Sequence, residues 1–218
     1  KNSSAEPDFL GLDVKHHSVS SFARPDSVTA ITLMTPEPTG GFYTERGVEA
    51  FVRRFGYRDK KNRPDRLNFG GIYRAGKRQP TTGLTMQIVG YNAADGRIVD
   101  ASGAIVLVSD TGELAAAWAF SGLLEHWSRK HTRAVYVPSM RRTEPRWQYA
   151  YGPHIRLAQR TDGLRLLNAL ACGEVYYDPG IKLEEESSPK PKAKKRSQFR
   201  VASKRIAMLY EIVQTVEV

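Results

Sequence analysis

The chain has 218 residues, of which 40% are hydrophobic and 26% are charged, a globular composition that excludes wholesale disorder. Its 33 Lys and Arg residues outnumber its 23 Asp and Glu residues, so the formal net charge is +10. Such a charge favours a polyanionic partner, since neutralising phosphates releases counterions. The one cysteine, Cys172, excludes a disulfide framework and a zinc-finger cluster.

The sequence contains no apolar run of membrane-spanning length and no secretory signal pattern, so we expect a cytoplasmic protein with no membrane association. We interpret residues 1–218 as a single domain. Because the chain starts at Lys1 rather than at Met, we also expect a further segment upstream of it.

Alternating and periodic apolar residues predict the elements of the first half of the chain. We expect strands at "FLGLDVKHH" (9–17) and at 30–35, then a helix at 45–57, where Val48, Phe51, Val52 and Phe55 share one face. Further strands are expected at 84–91, 104–110 and 113–120, and a helix at 121–130 with Ser121 as its N-cap.

The second half begins with a predicted strand at 133–138, a loop at 139–147 and an extended segment at 148–159. Thr161 is expected to cap a helix at 162–172, which Gly173 ends and a strand at 174–179 follows. We interpret the acidic and then basic stretch 182–197 as a flexible linker. A strand at 198–202, a helix at 204–213 capped by Ser203 and a tail complete the chain. Trp118, Trp127, Met208 and Tyr210 are expected in the core.

The stretch "PDFLGLDVK" (7–15) carries the strongest chemical signal. Side chains two residues apart share a face of a strand, so Asp13 and Lys15 should project together while Leu12 and Val14 face the core. A bend at Gly11 would bring Asp8 near Asp13, and two carboxylates suit Mg²⁺. A neighbouring lysine can activate water and stabilise negative charge at phosphorus. The alternative is a half-buried strand with one solvated face.

This motif resembles the PD-(D/E)xK active site of restriction-endonuclease-like nucleases. Together with "ITLMTPEPTGG", "GVEAFVRRFGY", "LLEHWSRKHTRAVYVP" and "SQFRVASKRIAMLY", it is similar to the MvaI/BcnI family of restriction endonucleases, relatives of the mismatch-repair nicking enzyme MutH. The resemblance implies an α/β restriction-endonuclease-like fold, with a mixed central β-sheet flanked by helices.

By the same resemblance, Asp8 and Asp13 would bind the metal, and Asp8, Asp13 and Lys15 would be catalytic. The family commonly has Glu, or in one branch His, at the position of Asp13, and places a further acidic residue on a helix upstream of the motif. The implied reaction is Mg²⁺-dependent hydrolysis of a DNA phosphodiester to leave a 5′-phosphate, with Mn²⁺ as an alternative ion. The implied enzyme is a monomer that cuts one strand at a time, in a restriction system with a cognate methyltransferase.

Accessory roles are open for three further residues. His17 would share the face of Asp13 and Lys15, or it would end the strand facing solvent. Glu37 would approach the metal if the second strand pairs with the first, and otherwise it is a loop acid. Glu6 would add a carboxylate or stay exposed in a loop.

Basic loops supply the candidate contacts to double-stranded DNA. Arginine commonly contacts phosphates and base edges, and any one of these side chains could equally be a solvated surface charge. The candidates are Arg63, Arg66, Arg141, Arg142, His154 and Arg156.

Other functions fit parts of the sequence. A DNA-binding module that keeps the fold but does not cut is the main alternative, and a MutH-like repair nicking enzyme is the nearest catalytic variant. An RNA-directed protein is a weaker alternative, because no RNA-binding motif is present.

Overall fold

The computed structural model describes residues 7–23, 29–60 and 63–218. Within these ranges the helices are α1 (Phe42–Phe55), α2 (Phe120–His131), α3 (Gly163–Ala171) and a 3₁₀ helix (Ser203–Leu209). The strands are β1 (Asp13–Ser18), β2 (Ala30–Met34), β3 (Tyr57–Arg58), β4 (Arg66–Gly70), β5 (Thr85–Val89), β6 (Tyr91–Asn92), β7 (Arg97–Ile98), β8 (Ala104–Val108), β9 (Leu114–Ala119), β10 (Arg133–Arg142), β11 (Gln148–Tyr151), β12 (His154–Gln159), β13 (Val175–Tyr177), β14 (Gly180–Glu184), β15 (Lys192–Lys194), β16 (Phe199–Ala202) and β17 (Ile212–Glu217).

The sheet that contains β1 is mixed, as predicted for this fold class. Its strand order is β1-β10-β12-β17, with β11 also paired to β10. Strand β1 runs parallel to β10, whereas the β10–β12 and β12–β17 pairs are antiparallel. The other sheets have the orders β13-β16-β2, β15-β14-β4-β3 and β5-β8-β9, and β6 pairs with β7.

A continuous hydrophobic core connects the sheets with the helices. Trp118 and Trp127 are buried in it, and Tyr210 is 2% exposed, so these three predictions are confirmed. Met208 was expected in the core but is 38% exposed, because the segment that carries it folds as a 3₁₀ helix rather than an α-helix. No helix in the described ranges is long and apolar enough to cross a bilayer.

Helix α3 forms as its leucine pattern predicts, but its cap is a different residue. Asp162 is the N-cap, and its carboxylate accepts a hydrogen bond from the Arg165 amide at 2.8 Å. Thr161 instead accepts from Trp127 Nε1 at 3.0 Å and donates to the Leu209 carbonyl at 2.5 Å. It therefore links α2 to the 3₁₀ helix.

The end of the chain is a strand, not the predicted helix and tail. Backbone at Tyr210 is extended (φ −134°, ψ 152°), and β17 then pairs antiparallel with β12. The β-branched residues Ile212, Val213 and Val216 favour a strand once an edge is available.

Two predicted irregular segments are also paired strands. Part of 182–197, expected to be a flexible linker, forms the β14–β15 pair, and β14 is anchored on β4. The loop expected at 139–147 begins only after Arg142, because β10 continues to that residue and pairs with β11.

Candidate active site

A tight turn brings Asp8 back to the first residues of β1. Phe9 and Leu12 exchange two backbone hydrogen bonds of 3.1 and 2.7 Å, and the two residues between them have positive φ, 47° at Leu10 and 74° at Gly11. Such φ values are typical of a two-residue type I′ turn, which favours glycine. Asp8 Oδ2 consequently accepts a hydrogen bond of 3.0 Å from the Val14 amide.

Asp13 and Lys15 lie on the same face of β1, as the strand periodicity predicts. The Lys15 Nζ atom is 3.0 Å from Asp13 Oδ2, and the side chain of Asp13 is 0% exposed while that of Lys15 is 18% exposed. The predicted orientation of Val14 is wrong, because it is 41% exposed. The charged pair faces inward instead, where neighbouring basic side chains surround the buried carboxylate.

Two of these neighbours come from the last turn of α2 and were missed in the sequence. Lys130 Nζ lies 3.8 Å from Asp8 Oδ1 and 3.7 Å from Asp13 Oδ1. His131 Nδ1 lies 3.4 Å from Asp13 Oδ2, and its ring stacks on Trp127 with centroids 4.1 Å apart. Basic residues in a last helical turn ordinarily indicate a helix end. Only the pairing of β1 with β10, which follows α2 directly, places them beside Asp13.

The surroundings shift the pKa values of the two carboxylates in opposite directions. Burial raises the pKa of Asp13 above its usual value, although Lys15 and Lys130 oppose this effect. Burial also pushes the pKa of Asp8 upward, but the Val14 amide, Asp13 and the two lysines together lower it below its usual value. Asp8 is therefore the more acidic member of the pair.

The arrangement fits a divalent cation that is held by two carboxylates. No three His, Cys, Asp or Glu side chains form a metal-binding group in the parts of the chain that the structure describes. Mg²⁺ does not require one, since it usually keeps several waters and binds one or two carboxylates together with substrate phosphates. Both oxygens of Asp13 are buried and face the charged groups of the site, Oδ2 towards Lys15 and Oδ1 towards Lys130.

Of the predicted accessory residues, His17 shares the face of Asp13 and Lys15, as predicted, whereas Glu37 lies away from this cluster. His17 is 4% exposed on the inner face of β1, where it lines a cavity of about 360 Å³ with Tyr136 and Arg156. Glu37 follows β2, but β2 pairs with β16 instead of β1. Its carboxylate accepts the Tyr43 hydroxyl and lies 3.8 Å from Lys195 Nζ. Glu6 lies outside the described residues.

The predicted DNA-contact residues divide into exposed and structural groups. Arg63, Arg141, Arg142 and His154 are exposed. Arg156 is half-buried and donates to the Ser203 carbonyl at 2.9 Å. Arg66 was predicted to contact DNA, but its side chain is only 11% exposed and forms an ion pair with the buried Asp59. Its guanidinium group therefore contributes to the fold.

An open groove runs along the unpaired edge of β1. It has a volume of about 580 Å³ and is lined by Lys15 and His16 on one side and by Thr32 and Arg200 on the other. Lys15 therefore reaches the surface at a basic groove while its partner Asp13 stays buried.

Comparisons with known proteins agree with this architecture. The profile of the MvaI/BcnI restriction endonuclease family matches residues 1–210. A search of curated protein sequences gave no match. The fold is similar to that of restriction endonuclease MvaI in complex with its cognate DNA substrate, with a TM-score of 0.67 and 16% identity over 99% of this chain and 82% of that one. MvaI in the absence of DNA gives a TM-score of 0.58 and 16% identity over 96% of this chain and 80% of that one.

These matches confirm the predicted resemblance and fold class. The profile covers nearly the whole chain, including the motif from Asp8 to Lys15. The chain belongs to the MvaI/BcnI restriction endonuclease family.

Proposed function

We propose that this protein is a Mg²⁺-dependent, site-specific DNA endonuclease that hydrolyses one phosphodiester bond at a time and leaves a 5′-phosphate. The observation that carries the proposal is the convergence of Asp8 and Asp13 on one cation, the ammonium group of Lys130, beside Lys15 at an open groove. Family membership supports the reaction class.

Each residue of the cluster has a distinct part in the proposed reaction. Asp8 and Asp13 would hold the metal ion, which when bound would polarise the phosphate and acidify a water molecule. Lys15 would orient the attacking water and stabilise the negative charge that develops on the phosphate oxygens. Burial holds the Asp13 side chain in place, and the hydrogen bond from the Val14 amide holds the Asp8 carboxylate in place.

The groove beside β1 is the proposed seat of the scissile strand. Lys15 and Arg200 line it, each in an ion pair, with Asp13 and Asp178 respectively. The net charge of +10 favours association with DNA. We further propose that the enzyme acts as a monomer in the cytoplasm, where a cognate methyltransferase would protect the host DNA, and that Mn²⁺ can replace Mg²⁺.

A plasmid assay tests this proposal. Supercoiled plasmid and Mg²⁺ should give nicked and then linear product with the unaltered protein. Lys15→Ala should reduce the rate about 100-fold or more, since removing one group that stabilises developing negative charge typically costs that much. Fluorescence anisotropy with a labelled duplex should show that Lys15→Ala still binds DNA. Lys204→Ala, which alters an exposed lysine on the 3₁₀ helix, is the matched control and should cut normally.

One observation favours a second candidate, a DNA-binding protein that does not cut. The Asp13 carboxylate lies within 4.0 Å of Lys15, Lys130 and His131, a set of contacts that could neutralise it permanently. Binding without nicking under Mg²⁺, Mn²⁺ or any other divalent ion would select this candidate. Competition by double-stranded RNA would instead indicate an RNA target.

A further inference from the structure

The hairpin of β10 and β11 carries three exposed aromatic rings. Trp147 is 64% exposed, Tyr149 is 51% exposed and Tyr151 is 64% exposed. Aromatic side chains grouped on a surface commonly mark an interaction site, because burying them on binding is favourable.

Strand register places these rings on one surface with an arginine. Arg141 lies opposite Tyr149, and Ser139 lies opposite Tyr151, so the side chains of these pairs share one face of the hairpin. The Arg141 guanidinium group also stacks over the Trp147 ring at 4.8 Å. We call Arg141, Trp147, Tyr149 and Tyr151 the hairpin surface.

The charge of the hairpin favours an anionic partner. Residues 140–151 contain Arg141, Arg142 and Arg146 against the single acid Glu144. Arg142 donates to the neutral side chain of Gln148. In the portion of the chain that the structure describes, neither Arg141 nor Arg142 forms an ion pair, so both keep their full charge for a partner.

The hairpin surface is continuous with the groove at the candidate active site. His16 lines that groove beside Lys15, and its ring meets Tyr149 edge-on with centroids 6.4 Å apart. A ligand lying in the groove would therefore extend past His16 onto the hairpin at Tyr149.

The register also gives the reach of the hairpin. Lys15 lies opposite Tyr136, and Arg141 is five residues further along β10, since 141 − 136 = 5. At about 3.3 Å per residue this is ~17 Å.

We infer that the hairpin surface is a second DNA-binding element, which contacts duplex DNA ~17 Å from the candidate active site. This inference rests on the proposed function. Arg141 binds a backbone phosphate, and Trp147 and Tyr149 pack against the sugar or base edges exposed beside it.

Binding measurements in the Lys15→Ala background separate this role from catalysis. The probe is a fluorescein-labelled 30-base-pair duplex taken from the plasmid around a mapped cut, titrated at several salt concentrations. Arg141→Gln should weaken binding about threefold and lower the slope of log K against log salt by ~0.9, the value for one phosphate contact. Trp147→Ala should weaken binding about fivefold, because it removes the apolar contact of a large aromatic ring with the DNA.

Arg97→Gln, on the β6–β7 hairpin, is the matched control because Arg97 is exposed and pairs only weakly with Asp95 at 3.5 Å. Its affinity and salt slope should stay unchanged.

Unchanged binding in both hairpin variants would overturn the inference while leaving the proposed nuclease intact. A dimer that Trp147→Ala converts to a monomer would also overturn it, in favour of a contact between copies. A protein that neither binds nor nicks DNA in any form would refute the proposed function and this inference together.

Discussion

Lys130 places its ammonium group between the two acids proposed to bind the metal. One oxygen of Asp8 and one oxygen of Asp13 lie within 4.0 Å of its Nζ atom. A divalent ion bridging both carboxylates would need the same space. The lysine therefore balances the two carboxylates and would compete with an ion for them.

Replacing this lysine should make metal binding tighter. We expect Lys130→Met to raise the affinity for Ca²⁺ about tenfold, because it removes a competing positive charge within a few ångströms of the site. Isothermal titration calorimetry with Ca²⁺ measures the affinity without cleavage. Arg129→Met is the matched control, since Arg129 pairs with Glu125 and lies one residue away on the same helix. Equal affinities in the two variants would show that Lys130 does not compete with the ion.

At the scale of elements, a pair of buried hydroxyl groups joins β10 to the end of the 3₁₀ helix. The Tyr136 hydroxyl on β10 and the Tyr210 hydroxyl, directly after the 3₁₀ helix, are 2.9 Å apart. Both rings are almost fully buried, with exposures of 0% and 2%. Each hydroxyl depends on the other, because a buried unpaired polar group is costly.

A double-mutant cycle measures this dependence. Tyr136→Phe should lower the free energy of unfolding by about 1–3 kcal/mol, since it leaves the Tyr210 hydroxyl buried without its partner. Adding Tyr210→Phe should cost clearly less than the sum of the single changes, because no orphaned hydroxyl then remains. Urea unfolding gives all four free energies. Strict additivity would mean that water satisfies each hydroxyl separately.

The elements also show what the sequence can and cannot predict. Periodicity identified β1, β2, α3 and the common face of Asp13 and Lys15, because these depend on neighbours along the chain. It failed for β17, whose strand state depends on the free edge of β12. It also failed for Lys130 and His131, which reach Asp13 only through the pairing of β1 with β10. Long-range pairing is invisible in a local pattern.

The sequence pattern also failed to predict the inward orientation of Asp13, because this orientation too depends on residues distant in the chain. A charged residue in an alternating strand ordinarily predicts the solvated face, and Val14 should then face the core. The burial is reversed because three basic side chains from β1 and α2 meet the carboxylate. Buried charge of this kind commonly marks a functional site.

At the scale of the whole molecule, acid stability depends on buried histidine. His131 is 0% exposed, and burial holds its pKa well below 6.5, with Lys15, His126 and Lys130 adding to the effect. Burial lowers the pKa of His126 as well. Both groups bind protons more readily in the unfolded chain. The folded state should therefore lose stability as the pH falls below about 6.5.

Replacing His131 should flatten this dependence. Between pH 6.5 and 5, a histidine that stays neutral in the folded state contributes a loss of up to ~1.4 kcal/mol per pH unit. His131→Phe keeps a ring against Trp127 and should reduce the slope of unfolding free energy against pH. Chemical unfolding at a series of pH values measures that slope. His154→Phe, at an exposed histidine, is the control and should retain the original slope.

The two-residue turn at Leu10 and Gly11 has a consequence for the candidate active site. One oxygen of Asp8 accepts a hydrogen bond from the Val14 amide, so the turn fixes the distance between the carboxylates of Asp8 and Asp13. One more residue in the turn would shift Asp8 off that amide and move its carboxylate away from Asp13. We therefore expect an insertion between Phe9 and Leu12 to abolish any binding that needs both acids at once.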